Sequence, residues 1–391
     1  MWGVMLVTGQ KSKCCGCGAC KDICTHDAIE MVEDEKGFLY PVINSSICVN
    51  CGACESICAL KSQPEDECST ILGTYALQHK NKKVLTLSSS GGAFTVFSNA
   101  ILKKGGVVYG AWLNTESFEV KHVCTHNEAE RDALRGSKYV QSSTCGIYRE
   151  IKKELKTGKE ILFSGTPCQC AELVKYIGIK PENLTIIDLL CHGVPSNKLL
   201  KNHIAIWESK TGKKAQNYVY RSKKYGYAHT HEIIFSDGTK NSSVELKRLL
   251  KLYAISMRES CYDCPYASKH RYGDITIGDL WEAGKIASIH DCLGTSLVLT
   301  NTEKGEQLLK DAEQECNIFP VDISSLHPGS LYKAVERTRR VDEFWNDYEN
   351  KGYMFVLDKY APNTIKSWGY QHMLRAIHVL GLDGIYSRIK R

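Results

Sequence analysis

The chain has 391 residues, 43% hydrophobic and 24% charged, with 50 basic and 44 acidic side chains and a formal charge of +6. At about 100–200 residues per domain, that length suits two or three domains. No run approaches the ~18 consecutive apolar residues of a membrane span. The N-terminal MWGVMLVTGQKSK places its charges after its apolar residues and has no small-residue cleavage site, unlike a signal peptide. A cytoplasmic protein without a transmembrane segment is expected. Its nineteen cysteines are then hard to place in disulfides, because the cytosol keeps thiols reduced. Metal ligation is the better reading wherever the spacing supports it.

Charge is unevenly spread. Residues 1–66 hold five Lys and no Arg against nine acids, giving −4, and the remainder holds 45 basic and 35 acidic residues, giving +10. An acidic head on a basic body points to different partners for the two parts. The basic residues are scattered and accompany no nucleic-acid motif, so no nucleic-acid partner is expected.

The head contains a repeat. Residues 14–24 read CCGCGACKDIC and residues 48–58 read CVNCGACESIC, so Cys14, Cys17, Cys20 and Cys24 recur as Cys48, Cys51, Cys54 and Cys58 at a constant offset of 34. This is the C-x2-C-x2-C-x3-C run of bacterial-type ferredoxins, in which the fourth cysteine of each run ligates the other cluster. A tight glycine-containing loop wraps three thiolates around one 4Fe-4S cluster, and the helix that follows carries the fourth to its neighbour. One cluster is assigned to Cys14, Cys17, Cys20 and Cys58, the other to Cys48, Cys51, Cys54 and Cys24. A pair of four-cysteine zinc sites is the competing reading; the doubled eight-cysteine pattern favours iron–sulfur. The proline usual after the fourth cysteine is replaced by Thr25 and Ala59, which removes no ligand. Cys15 has no counterpart in the second run and reads as a bystander. Residues 60–70, with Pro64, read as a linker.

From about residue 71, apolar runs alternate with helical periodicity, which predicts an α/β domain with a largely parallel sheet. Ligands of such sheets gather beyond the C-terminal ends of the strands. Residues 88–102, SSSGGAFTVFSNAIL, place two glycines between a strand expected at 84–87 and an amphipathic helix, a pattern that serves either helix capping or an anion or flavin. Lys138, in GSKYVQS, suits a phosphate or flavin contact or a solvated surface position. In GTPCQC, Pro167 fits a first helical turn and Cys168 sits at the positive helix end, where a thiolate can be nucleophile or ligand. The next apolar run ends in Cys191 and His192, so neighbouring strands would bring Cys168 and Cys191 to one rim. Cys261 and Cys264 form a C-x2-C, completing four soft ligands.

GTPCQ, LLCHGVPS, CYDCPYASKHRYGDITIGDLW and GTSLVLTNTEKG resemble, in this order, the beta subunits of coenzyme F-420 hydrogenases and dehydrogenases, over residues 71–325, and the ferredoxin module is also common in that family. The resemblance implies a flavin-binding α/β body with a third 4Fe-4S cluster on Cys168, Cys191, Cys261 and Cys264. It also implies that Ser90, Gly91, Gly92, Lys138, Gly165, Thr166, His192, Asp279, Thr295 and Ser296 lie near the flavin, for which FAD is expected in preference to FMN. Two departures, Gly273–Asp274 for Ala-Asp and Trp281–Glu282 for Trp-Gly, bar any transfer of substrate identity. The seven other cysteines, Cys15, Cys68, Cys124, Cys145, Cys170, Cys292 and Cys316, are expected to be buried as small apolar residues. No C-x3-C-x2-C triplet accompanies them, so radical chemistry is not expected.

Residues 326–391 read as a mainly helical, basic tail. Its last segment, with Trp368, Met373, Leu374, Ile377 and Leu380 at helical spacing, suits packing or oligomerisation better than a membrane surface. The whole is expected to be an α+β ferredoxin-like two-cluster head (1–66), an α/β flavin and third-cluster domain (71–325) and that tail. The expected function is an iron–sulfur flavoprotein oxidoreductase. It moves electrons, in either direction, between a ferredoxin or another low-potential donor and, by hydride transfer, a small organic acceptor, acidic or phosphate-bearing. His192 is the candidate proton donor. The alternatives are an electron-relay subunit without substrate chemistry, and a flavin-free protein with a structural zinc at the third set. A homo-oligomer is compatible with the sequence.

Overall fold

The computed structural model describes residues 9–61, 70–224, 230–242, 244–281, 283, 293–326, 328–363, 369, 372, 373, 376, 377 and 379–382. The N-terminal stretch 1–8, most of the expected linker, Cys68, Glu282, Cys292, Trp368 and Leu374 lie outside the described residues.

The head is built from two short helices, α1 (Ala19–Ile23) and α2 (Ala53–Ser56), and a hairpin of β1 (Ile29–Glu33) and β2 (Leu39–Ile43). The sequence repeat is also a backbone repeat. Each helix starts from a left-handed glycine, Gly18 at φ +80° and Gly52 at φ +74°, a conformation that costs glycine little and other residues more.

The strands of the body are, in chain order, β3 (Gly73–His79), β4 (Val107–Asn114), β5 (Glu119–Thr125), β6 (Ser142–Ser143), β7 (Ile161–Gly165), β8 (Leu184–Leu189), β9 (Ala215–Ser222), β10 (Thr230–Phe235), β11 (Lys240–Asn241), β12 (Ile275–Asp279), β13 (Ser296–Thr300) and β14 (Cys316–Pro320). Nine of them form one sheet in the order β14-β3-β13-β12-β8-β7-β4-β5-β6, while β9, β10 and β11 form a second. The large sheet is mixed, not largely parallel. The pairs β4–β7, β7–β8, β8–β12 and β5–β6 are parallel, whereas β4–β5, β12–β13, β13–β3 and β3–β14 are antiparallel. Sequence alternation does not fix strand direction; β4 returns directly as β5 over a short turn, which forces an antiparallel pair.

The helices of the body are α3 (Lys82–Leu87), α4 (Ala93–Leu102), α5 (Glu128–Asp132), α6 (Ile147–Glu154), α7 (Pro167–Ile177), α8 (Asn197–Thr211), α9 (Arg248–Tyr253), α10 (Glu303–Asp311) and α11 (Arg340–Tyr360). The strand expected at 84–87 is helical, within α3. The alternating Val-Leu-Thr-Leu resembles a strand, but Asn81 caps the segment by accepting from Lys83 N at 2.9 Å, a helix-start interaction that short β-type patterning does not outweigh.

Both faces of the large sheet are covered. One face, with Tyr109, Ile161 and Phe163, packs on α6, α7 and Cys15, Cys17, Ala19 and Ala59 of the head. The other, with Val108, Leu162 and Ile187, packs on α4 and α10. Strands buried on two faces read as continuous apolar runs, as ILF and TII do here. A third core joins α8, α9, α11, β9 and β10 to Phe38 and Tyr40 of the head. The start of the expected tail, α11, is part of this core and bends at Gly352, φ +79°. Among the described residues no helix is long and apolar enough to cross a membrane.

His203 lies in that third core at 1% exposure, with Nδ1 3.0 Å from Tyr353 OH and no partner for Nε2 among the described residues. Burial lowers its pKa to about 3. The unfolded chain therefore binds a proton at this site below pH 6.5 that the folded chain refuses. Stability falls as pH drops from 6.5 towards 3, by up to about 1.4 kcal/mol per pH unit from this group. Denaturant titrations of His203→Gln are expected to show a flatter acid limb than the unsubstituted chain over that window.

Candidate redox site

The two cysteine runs share a backbone but not an environment. In the first, Cys14, Cys15 and Cys17 are buried. A Cβ on Gly18 would lie 2.8 Å from Cys145 Sγ, whereas one on Gly52 would meet nothing. In the second, Cys51 is exposed and Cys48 and Cys54 are half-buried.

Cys14, Cys17, Cys20 and Cys58 line one pocket, together with Cys15, Gly16, Gly18, Met31, Pro41 and Glu172. These are the four cysteines that the alternating-run rule puts on one cluster, drawn from both runs. The wall carries five thiols and the Glu172 carboxylate, and the four from Cys14, Cys17, Cys20 and Cys58 fit a 4Fe-4S group by donor chemistry. The Cys20 thiol is pushed up by burial and by the charges of Cys14, Glu172 and Cys58, a penalty that thiolate binding to a cation relieves. In the second set, Cys54 feels the charges of Cys48 and Cys51. Cys24, at the end of α1 beside α2, accepts from Ala28 N at 3.3 Å.

The four cysteines of the third set lie within electrostatic reach of one another. The neighbouring parallel strands β7 and β8 end side by side and deliver Cys168 and Cys191 to one rim. Burial raises the Cys191 thiol to about 12 and the Cys264 thiol to about 11, with Cys168 adding to both. Cys261 is raised by burial and by Cys191, Cys168 and Cys264. Under this rim, Arg271 pairs with Asp188 at 2.7 Å, both at 1% exposure or less. Asp188 also accepts from Gly273 N at 3.2 Å, and a Cβ on Gly273 would lie 2.8 Å from Asp188 N.

Cys15 packs in one buried cluster with Cys17, and Cys168 packs against that cluster, so Cys15 stands where the first head set meets the third. Its thiol, that of Cys17 and a Glu172 carboxylate oxygen lie within 4.8 Å of one another. Glu172 is 1% exposed, accepts from Ala59 N at 2.8 Å, and is raised to about 7 by burial. The lack of a counterpart to Cys15 in the second run was the available signal: the extra thiol sits on the face of the head that meets the body. Cys170, on α7 with Cys168, is fully buried in the core, as expected.

The candidate flavin residues share this rim. Ser90 Oγ donates to Thr295 O at 2.7 Å, and Gly91 N donates to Ser296 Oγ at 2.9 Å. Gly91 has no room for a side chain: a Cβ would lie 2.0 Å from Leu77 O and 2.5 Å from Ser296 N. Gly92, at φ +91°, starts α4. Ser137 N donates to Ser89 Oγ at 2.7 Å, which ties the loop of Lys138 to this one. Lys138 is half-buried, with Nζ on Leu134 O at 2.7 Å and Arg135 O at 3.3 Å, and burial lowers it to about 7. A lysine held by carbonyls and by no carboxylate among the described residues, beside a glycine-started helix, suits an anion. Thr166 caps α7, and its Oγ1 lies 3.2 Å from Cys168 Sγ; Gly165 precedes it at the end of β7. Asp279 pairs with Arg221, whose Nη1 also donates to Tyr139 OH at 3.2 Å and whose guanidinium lies 5.0 Å from the Trp281 ring centre. His192 is exposed; desolvation lowers its pKa and Asp279 opposes the shift. Arg221, Glu172, Gln141 and Arg258 were not anticipated, because no spacing rule marks a residue whose partner is distant in sequence.

Residues 13–61 match the family described as 4Fe-4S dicluster domain, and residues 158–324 match the family described as the C terminus of the Coenzyme F420 hydrogenase/dehydrogenase beta subunit. The beta subunit of F420-dependent formate dehydrogenase 1 from Methanococcus maripaludis is 26% identical over 308 residues, 76% of this chain and 72% of that protein. A chain in a xenon-derivatised structure of the F420-reducing [NiFe] hydrogenase complex from Methanosarcina barkeri aligns at 18% identity with a TM-score of 0.47, covering 72% of this chain and 93% of that one. The two family matches support an iron–sulfur electron-transfer protein of the oxidoreductase class. The chain carries the C-terminal domain of the coenzyme F420 hydrogenase/dehydrogenase beta-subunit family behind an N-terminal 4Fe-4S dicluster domain.

The Gly91 contacts yield a direct test of the rim. Gly91→Ala forces a methyl into backbone atoms, an overpacking worth about 1–3 kcal/mol. Thermal denaturation is expected to shift down by several degrees, whereas Gly52→Ala, in open space, is expected to register only the strain of its positive φ.

Proposed function

We propose that the protein is an iron–sulfur flavoprotein oxidoreductase that moves electrons between a ferredoxin-type or other low-potential donor and an organic acceptor. The observation that carries this reading is the packing of Cys168 against the buried cluster that holds Cys15 and Cys17, which brings the first head set to the third set on the rim that also holds the Ser90–Gly91–Ser296 cradle. Cys48, Cys51, Cys54 and Cys24 would hold the outer cluster, Cys14, Cys17, Cys20 and Cys58 the inner one, and Cys168, Cys191, Cys261 and Cys264 the third. Ser90, Gly91, Gly92, Lys138, Gly165, Thr166, Asp279, Thr295 and Ser296 would hold the flavin, FAD in preference to FMN. Bound flavin supplies conversion between one-electron and hydride chemistry.

The residues of the chain do the positioning. The N-terminus of α4 and the ammonium of Lys138 offer positive charge to an anionic part of the flavin. Thr166 fixes the start of α7 and keeps Cys168 on the rim. Asp279, held by Arg221, sets the field felt by His192, which is placed to move a proton at its ring nitrogen. The basic body, +10 outside the head, suits an acidic or phosphate-bearing acceptor. Coenzyme F420 is the first acceptor to try, since the similar formate dehydrogenase is named for it.

A second reading, a relay subunit whose partner performs the substrate chemistry, is favoured by that relative being one subunit of a larger enzyme. Turnover of an organic acceptor by the isolated chain separates the two. The cofactor assignment is tested by iron, sulfide and flavin analysis after anaerobic purification. Cys168→Ala is expected to lose about one third of the iron, to keep both head clusters and to uncouple their reduction from that of the flavin. Unchanged iron and unchanged flavin reduction would show that Cys168 is no ligand.

A further inference from the structure

Arg258 is fully buried, at 0% exposure, and spans the two inner cysteine sets. Its backbone belongs to the third set: its N–H donates to Val194 O at 2.9 Å, three residues past Cys191, and its carbonyl accepts from Cys261 N at 2.9 Å. Its side chain reaches into the head. Nε donates to Cys14 O at 2.7 Å, and Nη2 donates to Leu39 O at 2.9 Å and to Cys14 Sγ at 3.6 Å. Nη1 donates to Gln141 Oε1 at 3.0 Å. The guanidinium lies 4.1 Å from the Tyr40 ring centre, and a Cβ on Gly16 would come within 2.7 Å of Nη1.

Every nitrogen of the guanidinium has an acceptor, yet no carboxylate contacts it among the described residues. A buried cation without a counter-charge is costly. The ionisable side chain that the guanidinium hydrogen-bonds is the Cys14 thiol, 3.6 Å from Nη2. Its counter-charge is therefore the cysteine cage, whose thiolates would hold the cluster.

We propose that Arg258 sets the reduction potential of the head cluster on Cys14, Cys17, Cys20 and Cys58, making it easier to reduce than the outer head cluster. An electron arriving at the exposed Cys48–Cys51–Cys54 site then runs inward. The inference rests on the cluster ligands proposed above. Reduction adds one negative charge to a cluster, and a fixed positive charge in a low-dielectric surrounding favours the reduced form. Burial alone acts the other way, because it disfavours added charge. The guanidinium is thus the group that reverses the order burial would give. Among the described residues no Lys or Arg hydrogen-bonds any residue from 48 to 54, so the outer cluster lacks this aid.

The test is a reductive titration of the anaerobically purified full chain, followed by electron paramagnetic resonance. The inner head signal is identified by its change in Cys20→Ser. Arg258→Gln is expected to move the midpoint of that signal to a more negative potential by more than any other signal, and Arg258→Lys to keep it near the unsubstituted value. An unmoved midpoint in Arg258→Gln, or an equal shift of all signals, overturns the proposal. Should Arg258→Gln fail to retain iron, Gln141→Glu decides. A carboxylate against Nη1 neutralises the same charge with the guanidinium in place. The same drop, largest at the inner head signal, is expected there, and an unmoved midpoint overturns the proposal. Failure of the ligand assignment is visible separately, in the iron content of the unsubstituted chain and in an inner signal unaffected by Cys20→Ser.

Discussion

A loop that wraps three thiols round a small space turns its carbonyls outward, and once the loop is buried each carbonyl needs a donor. The first cysteine run meets that requirement at three of its carbonyls by docking on the body. Cys14 O takes Arg258 Nε, Cys15 O takes Gln141 Nε2 and Cys17 O takes Thr144 Oγ1. Asp22 adds a second layer: its carboxylate accepts from Gly146 N at 2.6 Å, and its carbonyl from Arg149 Nη2 at 2.7 Å and Tyr176 OH at 3.1 Å. At the other edge, Lys175 Nζ donates to Cys58 O and Glu172 accepts from Ala59 N. Deleting one of these donors strands a buried acceptor, which is why the seam has one arrangement rather than several.

That satisfied seam separates two otherwise equivalent loops. Gly18 and Gly52 start the same helix with the same backbone, but one faces Cys145 and the other open space. Identical covalent spacing therefore yields one thiol cage in a dry, charged surrounding and one at the surface. Potential follows exposure, hydrogen bonding and nearby charge more than ligand identity when the ligands are the same. A repeat in sequence thus becomes a gradient in structure, with the surface cage as the accessible end and the buried one abutting Cys168 through Cys15.

The parts legible in the sequence were those fixed by short-range geometry. The offset of 34 between the cysteine runs, the helix start at Pro167–Cys168 and the β7–β8 pair bearing Cys168 and Cys191 all follow from spacing within one or two elements. What escaped depends on partners far along the chain. Arg258 contacts Cys14 across 244 positions and Glu172 contacts Ala59 across 113, and nothing in RES or AEL marks either residue. VLTL at 84–87 reads as a strand because four residues of alternating β-branched and apolar character suit either state, and a single Asn81 cap decides between them. The direction of β13 escaped for a related reason: SLVLT is equally apolar whichever way it runs.

That direction matters to the site. Strands β3, β8 and β7 run with β12, so His79, Leu189, Gly165 and Asp279 all end at one rim; β13 runs against β12, so it begins there, at Ser296, opposite Asp279. Had β13 been parallel, Thr295 and Ser296 would lie at the far edge and the loop 88–92 would lose both of its anchors. The mixed sheet thereby places four kinds of group on one edge: the cradle of Ser90 and Gly91, the Asp279–Arg221 pair, His192, and the thiols of Cys168 and Cys191. The seam sets the second requirement, because the same rim must also face the head. Cys15 meets Cys168 just where α7 begins, so the cradle, the third thiol set and the inner head set are neighbours by construction of the sheet, and the cradle among them depends on the antiparallel strand that a parallel sheet would have lacked.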